Sequence, residues 1–162
     1  MRLRPEWPEG PLPQQETLER VWEVTQWLLD TGPLVAFFDK SDEYHEWAVG
    51  QWGRAPVPLV TCEAVVAEAA YLLQERAGLP GHKLVNLFDR RVISAPFHLE
   101  DHAPAVARLM EKYRNQDIQL ADACLVCMSE LSRDCRVFTL DKEDFRVYRR
   151  FERQVIPLVA PD

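Results

Sequence analysis

The chain has 162 residues, 47% of them hydrophobic and 28% charged, which is ordinary for one water-soluble domain whose core closes without disulfides. A net charge of −7 excludes a protein that coats nucleic acid through its overall field. It leaves room for a nuclease, because a cluster of carboxylates adds to that charge and bound cations offset it locally. No apolar stretch approaches the roughly 18–20 residues of a membrane helix, so no membrane partner is expected.

The first twenty residues carry four prolines and many charges, without an apolar signal-peptide core. They read as a proline-rich arm, residues 1–20, ahead of one domain over residues 21–162. Val24 to Leu29 is an apolar run that ends at Asp30 and predicts a first strand. Thr31-Gly32-Pro33 is turn chemistry, with Pro33 suited to a first helical turn, and Leu34 to Phe38 continues as a short apolar helix. Ser41 is expected to cap a helix over Asp42 to Trp52, where Tyr44, Trp47 and Ala48 recur at helical spacing.

Pro58-Leu59-Val60 predicts a brief second strand. Thr61 is expected to cap a helix with an apolar run from Ala64 to Leu73, broken by Gly78-Leu79-Pro80-Gly81. A helix over His82 to Asp89, a third strand at Val92-Ile93 and helices over His98 to Tyr113 and Leu120 to Leu131 follow. Arg136 to Leu140 predicts a fourth strand, and Gln154 to Val159 is the candidate fifth. Strands alternating with helices indicate a mainly parallel sheet of four to five strands, covered on both faces in a three-layer α/β/α arrangement.

The four cysteines, Cys62, Cys124, Cys127 and Cys135, lie near apolar positions. They read as reduced core thiols and place the protein in the cytoplasm. Cys124 and Cys127 lack the second pair that a zinc site needs, so core packing is the better reading. His98 and His102 share a helical face without a third ligand and read as surface residues. His45 reads as a partly buried helix residue, with contact to substrate phosphate as the other option. Arg146, Arg149 and Arg150 with Tyr148 form a basic–aromatic patch, read first as a solvated face and second as a contact for RNA backbone.

The informative signal is charge inside apolar runs. Glu68 is the only charge between Ala64 and Leu73, and Asp122 the only one between Leu120 and Val126. Asp30 follows Trp27-Leu28-Leu29, and Asp141 follows Val137-Phe138-Thr139-Leu140. A buried lone carboxylate costs several kcal/mol even after relaxation, so it must be paired, protonated or bound to a cation. Basic residues fall only in polar stretches, such as Arg90-Arg91 and Arg146 to Arg150. Four acids without an embedded basic partner suggest a divalent metal. An oxygen-only donor set favours Mg²⁺ or Mn²⁺ over zinc. In open α/β sheets, ligands bind at the carboxyl ends of strands, where Asp30 and Asp141 are expected.

These segments resemble the PIN-domain family, in particular its VapC-type ribonuclease toxins. The resemblance is carried, in the family's order, by Leu29-Asp30-Thr31-Gly32-Pro33-Leu34-Val35-Ala36, Val65-Val66-Ala67-Glu68-Ala69, Leu120-Ala121-Asp122-Ala123, and Phe138-Thr139-Leu140-Asp141 with Asp144-Phe145. It runs from about Leu28 to Pro157. It implies a PIN-like fold with an acidic pocket and a metal-dependent endoribonuclease that uses one or two Mg²⁺ or Mn²⁺ ions and leaves a 5′-phosphate and a 3′-hydroxyl. Asp30, Glu68, Asp122 and Asp141 fall on the family's acidic, metal-holding positions. Asp144 matches an accessory acid, Thr139 a supporting hydroxyl, and Thr31 the hydroxyl residue after the first acid. Asn115 and Gln119 stand where many relatives carry an acid.

The implied partners are RNA, a small antitoxin protein and a second copy of the chain in a homodimer, with Trp47 and Trp52 near the family's dimer interface or simply in the core. Two alternatives share the fold: an RNA-processing nuclease outside a toxin pair, and a non-catalytic binding module. A haloacid-dehalogenase-like phosphatase is excluded, because Asp30 is followed by Thr31-Gly32 rather than by the second Asp of an Asp-x-Asp motif.

Overall fold

A computed structural model describes residues 25–162. The expected arm, together with Val24, lies outside the described residues. The elements in chain order are β1 (Gln26–Leu29), α1 (Thr31–Phe38), α2 (His45–Trp52), β2 (Leu59–Val60), α3 (Glu63–Ala77), α4 (His82–Asp89), β3 (Ile93–Ser94), α5 (Leu99–Lys112), α6 (Leu120–Leu131), β4 (Cys135–Phe138), α7 (Lys142–Val147), β5 (Arg149–Arg150), β6 (Gln154–Val155) and β7 (Leu158–Val159). A 3₁₀ turn at Arg114–Gln116 links α5 to α6.

The main sheet has the order β3-β2-β1-β4-β7, and every pairing in it is parallel. The helices complete three layers. α1 packs on α2 and α3, α5 packs on α6, and α6 reaches β1 and β4. The central strands are short and almost wholly buried, as strands covered on both faces must be. β1 runs between β2 and β4, so the chain leaves it in opposite senses on its two sides. That reversal opens a crevice at the carboxyl ends of β1 and β4. Asp30 directly follows β1, and Thr139 and Asp141 follow β4.

Hydrogen bonds carry the ladder past the strand ends and fix that crevice. The Asp30 N–H donates to the Phe138 carbonyl at 3.0 Å, and the Thr139 N–H to the Val159 carbonyl at 3.0 Å. Phe138 packs against Trp27 and Trp47 with ring centroids 5.5 and 5.6 Å away. Trp52 stacks on Phe37 at 4.3 Å. Within this chain both α2 tryptophans are thus engaged in packing. All four cysteines are free and buried, as expected.

Several element boundaries differ from the sequence expectation, each for a local reason. Ser41 does not cap α2. Its N–H and hydroxyl both donate to Asp39 Oδ1, at 2.9 and 2.6 Å, and the helix starts at His45 after Tyr44. Thr61 does not cap α3 either, since its hydroxyl donates to the Leu29 carbonyl at 2.9 Å and Cys62 takes the cap. That bond ties the end of β2 to the residue before Asp30. The turn read at Thr31-Gly32-Pro33 is already the first turn of α1, with Asp30 as its cap. The stretch Gln154 to Val159 divides: β6 pairs with β5 in an antiparallel hairpin, and β7 adds the fifth strand of the main sheet. Gly78 ends α3 in the left-handed region at φ 59°, where glycine bears no steric penalty.

Candidate active site

Asp30 is the deepest of the four acids, 6% exposed. Oδ1 accepts from the Thr31 N–H at 2.7 Å, which caps α1, and Oδ2 accepts from the Thr139 hydroxyl at 2.6 Å. Thr139 is fully buried and also accepts from the Asp141 N–H at 2.9 Å. One hydroxyl therefore couples the end of β1 to the loop after β4. Gly32 allows this closeness, because a Cβ there would sit 3.0 Å from Leu140 Cγ.

Glu68 reaches the pocket from α3, where its Oε2 accepts from the Thr31 hydroxyl at 2.7 Å. The sequence expectation that Glu68 is embedded in apolar surroundings is corrected here, since Glu68 and Ala67 are both exposed. The alanine-rich face of α3 is open at this point, and small apolar residues on a helix do not by themselves imply burial. Asp141 is exposed as well, and Asp122 and Asp144 are half-buried. The penalty of a buried lone charge thus applies fully to Asp30 and in part to Asp122.

Asp122 has an ordinary helical role too. It occupies the third position of α6 in a capping box with Gln119, whose N–H donates to Asp122 Oδ2 at 3.3 Å. Asp141 caps α7 by accepting from the Asp144 N–H at 3.3 Å. Asp30, Asp122 and Asp141 thus all lie at helix starts, where the peptide dipoles favour negative charge.

Capping does not satisfy these acids. Burial first, then the charges of Glu68 and Asp141, push the Asp30 carboxyl up to about 6 despite its two hydrogen bonds. Burial, then Asp30, and also Asp141 and Glu68, push Asp122 up to about 7. Burial and the neighbouring Asp141 also raise Asp144. Asp30 and Asp122 both lie in the field of Glu68 and Asp141. Among the described residues, no lysine or arginine is a cause of the shift at Asp30 or Asp122. The ion pairs among the described residues, Arg114–Glu111 and Arg146–Glu143, lie elsewhere and are exposed.

The donor set is chemically right for a hard divalent cation, which would relieve this repulsion. Among the described residues, however, no three His, Cys, Asp or Glu side chains already converge as a closed metal centre does. The pocket is an open acidic cluster. An apolar cavity of about 290 Å³ lies between α3 and α6, lined by Cys62, Ala67, Phe97, Leu120 and Cys124, and none of the four acids lines it.

The remaining candidates separate clearly. His45 Nδ1 donates to the Ala36 carbonyl at 2.7 Å, and His102 stacks on Phe97 at 4.8 Å, so both are occupied in packing. The basic–aromatic patch dissolves. Tyr148 is fully buried, Arg149 folds back onto the carbonyls of Arg146, Val147 and Tyr148, and Arg150 is half-buried, donating to the Ser129 carbonyl at 3.3 Å. Tyr148 instead packs inside the fold, edge-on against Tyr113 and Phe145. Its position between basic residues hid this in the sequence.

The PIN domain family model matches residues 27–150. The chain belongs to the PIN domain family. Among curated proteins, this PIN domain is 29% identical over 126 residues to Ribonuclease VapC26 of Mycobacterium tuberculosis, covering 75% of this chain and 91% of that protein. Among solved structures, the crystal structure of VapC20 of Mycobacterium tuberculosis, a Sarcin-Ricin loop cleaving toxin, aligns with a TM-score of 0.58 at 18% identity. It covers 74% of this chain and 94% of that one. At that identity the likeness speaks for the PIN fold alone. Among the described residues, no helix is long and apolar enough to cross a membrane.

Proposed function

We propose that this PIN domain is a Mg²⁺- or Mn²⁺-dependent endoribonuclease of the cytoplasm and the toxin of a type II toxin–antitoxin pair, acting as a homodimer and silenced by a small antitoxin protein. The observation that carries the reading is the carboxylate cluster at the crevice between β1 and β4, in which only other carboxylates are the charged causes of the shifts at Asp30 and Asp122 among the described residues. The relative named as a ribonuclease of the VapC series supports RNA as substrate and the toxin-pair reading.

Asp30, Glu68 and Asp122 would hold a first ion, with Asp141 supporting a second or orienting water. A bound divalent ion acidifies water and neutralises charge on a phosphodiester under attack. The chain's own groups do the positioning. Thr139 and the Thr31 N–H fix the Asp30 carboxylate through one hydrogen bond to each oxygen, and the Thr31 hydroxyl fixes Glu68. Each of these oxygens keeps a further lone pair for a cation or water. Exposed Asp141 and half-buried Asp144 stand at the mouth, where they can orient water for in-line attack. The open, acidic shape suits a polyanion only once cations are present, which makes cleavage strictly ion-dependent.

The test is cleavage of total RNA by the purified chain with Mg²⁺ or Mn²⁺, with EDTA and Asp30→Asn as controls. Cleavage that stops with either control supports the reading. Cleavage that survives both removes the four acids from the chemistry, and no cleavage with either ion leaves the non-catalytic alternative.

A further inference from the structure

Two of the four buried thiols meet where α3 and α6 come together. Cys62 and Cys124, 2% and 1% exposed, line the same apolar cavity of about 290 Å³. Their thiols are hydrogen-bonded to each other. The other two cysteines are placed differently. Cys127 does not line the cavity, and Cys135 Sγ lies against the Ser129 carbonyl at 3.7 Å and the Arg150 guanidinium at 3.6 Å.

The cavity also gives access. Leu99 and Leu120 line it and are 42% and 40% exposed, so its rim meets solvent although the two sulfurs are covered. A water takes about 30 Å³ of liquid volume, so the space admits a molecule as small as a peroxide.

The two cysteines differ in a way that assigns their roles. Cys62 caps α3, a helix of 15 residues, whose first N–H groups favour a negative sulfur. The Cys124 thiol first, then the N–H groups of Val65 and Ala64, hold the Cys62 thiol below its ordinary range despite burial. Cys62 stands outside the helix with an extended backbone, φ −132° and ψ 162°. Its sulfur can therefore move from hydrogen-bond contact to an S–S bond of about 2.05 Å without unwinding α3.

We propose that Cys62 and Cys124 form an oxidisable dithiol, in which a peroxide converts the two thiols into a disulfide that ties the start of α3 to α6. The Cys62 sulfur, its proton given up, attacks one peroxide oxygen and the O–O bond breaks. A sulfenic acid forms on Cys62, and the other oxygen takes up the released proton and leaves as water. The Cys124 sulfur then attacks the Cys62 sulfur. The S–O bond breaks, and its oxygen leaves as a second water with the Cys124 proton. The two thiols lose two electrons in all, and one peroxide is reduced to two waters. α3 carries Glu68 and α6 carries Asp122, so the new bond fixes the spacing of the two helices that bring those acids to the pocket. The chemistry depends on neither a metal nor RNA, and its failure leaves the four-acid reading untouched.

The experiment treats the full chain, reduced and then freed of reductant in EDTA, with hydrogen peroxide. The product is unfolded in N-ethylmaleimide, digested and mapped by mass spectrometry. Cys62 and Cys124 joined in one peptide pair, with Cys127 and Cys135 alkylated, supports the site. Alkylated Cys62 and Cys124, their separate oxidation without a link, or a link from either to Cys127 or Cys135 overturns it. The parent chain supplies this result, so no variant has to fold. The pair should also form at least ~10-fold faster in the native chain than in urea, because the fold holds the sulfurs together. Equal rates overturn the claim that the fold places them.

Discussion

Asp30→Asn removes the most deeply buried carboxylate of the pocket, and its effect on stability can be worked out with its sign. In the ion-free protein the Asp30 carboxyl titrates at about 6 against an ordinary 3.8. The folded chain holds this proton more tightly than the unfolded chain, so stability falls as pH rises from about 4 through about 6 and stays lower above that. At 1.36 kcal/mol per pH unit, the ionised carboxylate costs the fold about 3 kcal/mol at pH 7.5 and about 1 kcal/mol at pH 4.5. Asparagine has no such dependence and can still accept from the Thr31 N–H. Moving from pH 4.5 to 7.5 in EDTA, the Tm of Asp30→Asn relative to the parent should therefore rise by about 4–8 °C, the equivalent of about 2 kcal/mol in a chain of this size. Melting curves followed by circular dichroism at the two pH values measure it. Saturating Mg²⁺ at pH 7.5 should raise the parent and leave the variant almost unmoved. A Tm difference that is the same at both pH values refutes the reasoning, because the acid would then not be strained by its burial.

Thr139→Val deletes the hydroxyl that both donates to Asp30 and accepts from Asp141; about 2–4 kcal/mol of stability should be lost, with Thr139→Ser largely sparing it, as chemical denaturation can check. Glu68→Gln lies on an exposed face, so unfolding free energy should move by less than about 0.5 kcal/mol while Mg²⁺-dependent RNA cleavage drops at least ~100-fold. A Glu68→Gln chain with parental cleavage would take Glu68 out of the site. Gly32→Ala puts a methyl group 3.0 Å from Leu140 Cγ and should cost about 1–3 kcal/mol together with lower cleavage, since Leu140 links Thr139 to Asp141; parental stability would mean that Leu140 moves aside freely.

Asp30 was legible in the sequence because a strand buried on both faces must end somewhere, and an acid at that point is conspicuous. Asp122 was legible for a similar reason, although its capping box with Gln119 gives it an ordinary helical role as well. Glu68 was singled out on a partly mistaken ground, because Ala67 beside it lies on an open face. The order of elements followed from the alternation of apolar runs and breakers. The caps at Ser41 and Thr61 did not, since a hydroxyl near a helix start can serve any acceptor within reach. Here Asp39 and the Leu29 carbonyl took them. Tyr148 was illegible because arginines surround it in sequence, and only the packing of α6, α7 and the β5–β6 hairpin puts it inside. The fifth strand was anticipated in the right stretch but not the turn that divides it.

The Thr139 bond to Asp30 spans 109 residues of sequence. At translation rates of about 5–20 residues per second, Thr139 is added roughly 5–20 s after Asp30. For that interval the emerging chain carries its first acid without β4, the strand that aligns it, and without Asp141. The proposed cutting site is therefore made in an order that withholds its geometry until β4 is in hand. The long reach between β1 and β4 acts as a delay built into synthesis itself.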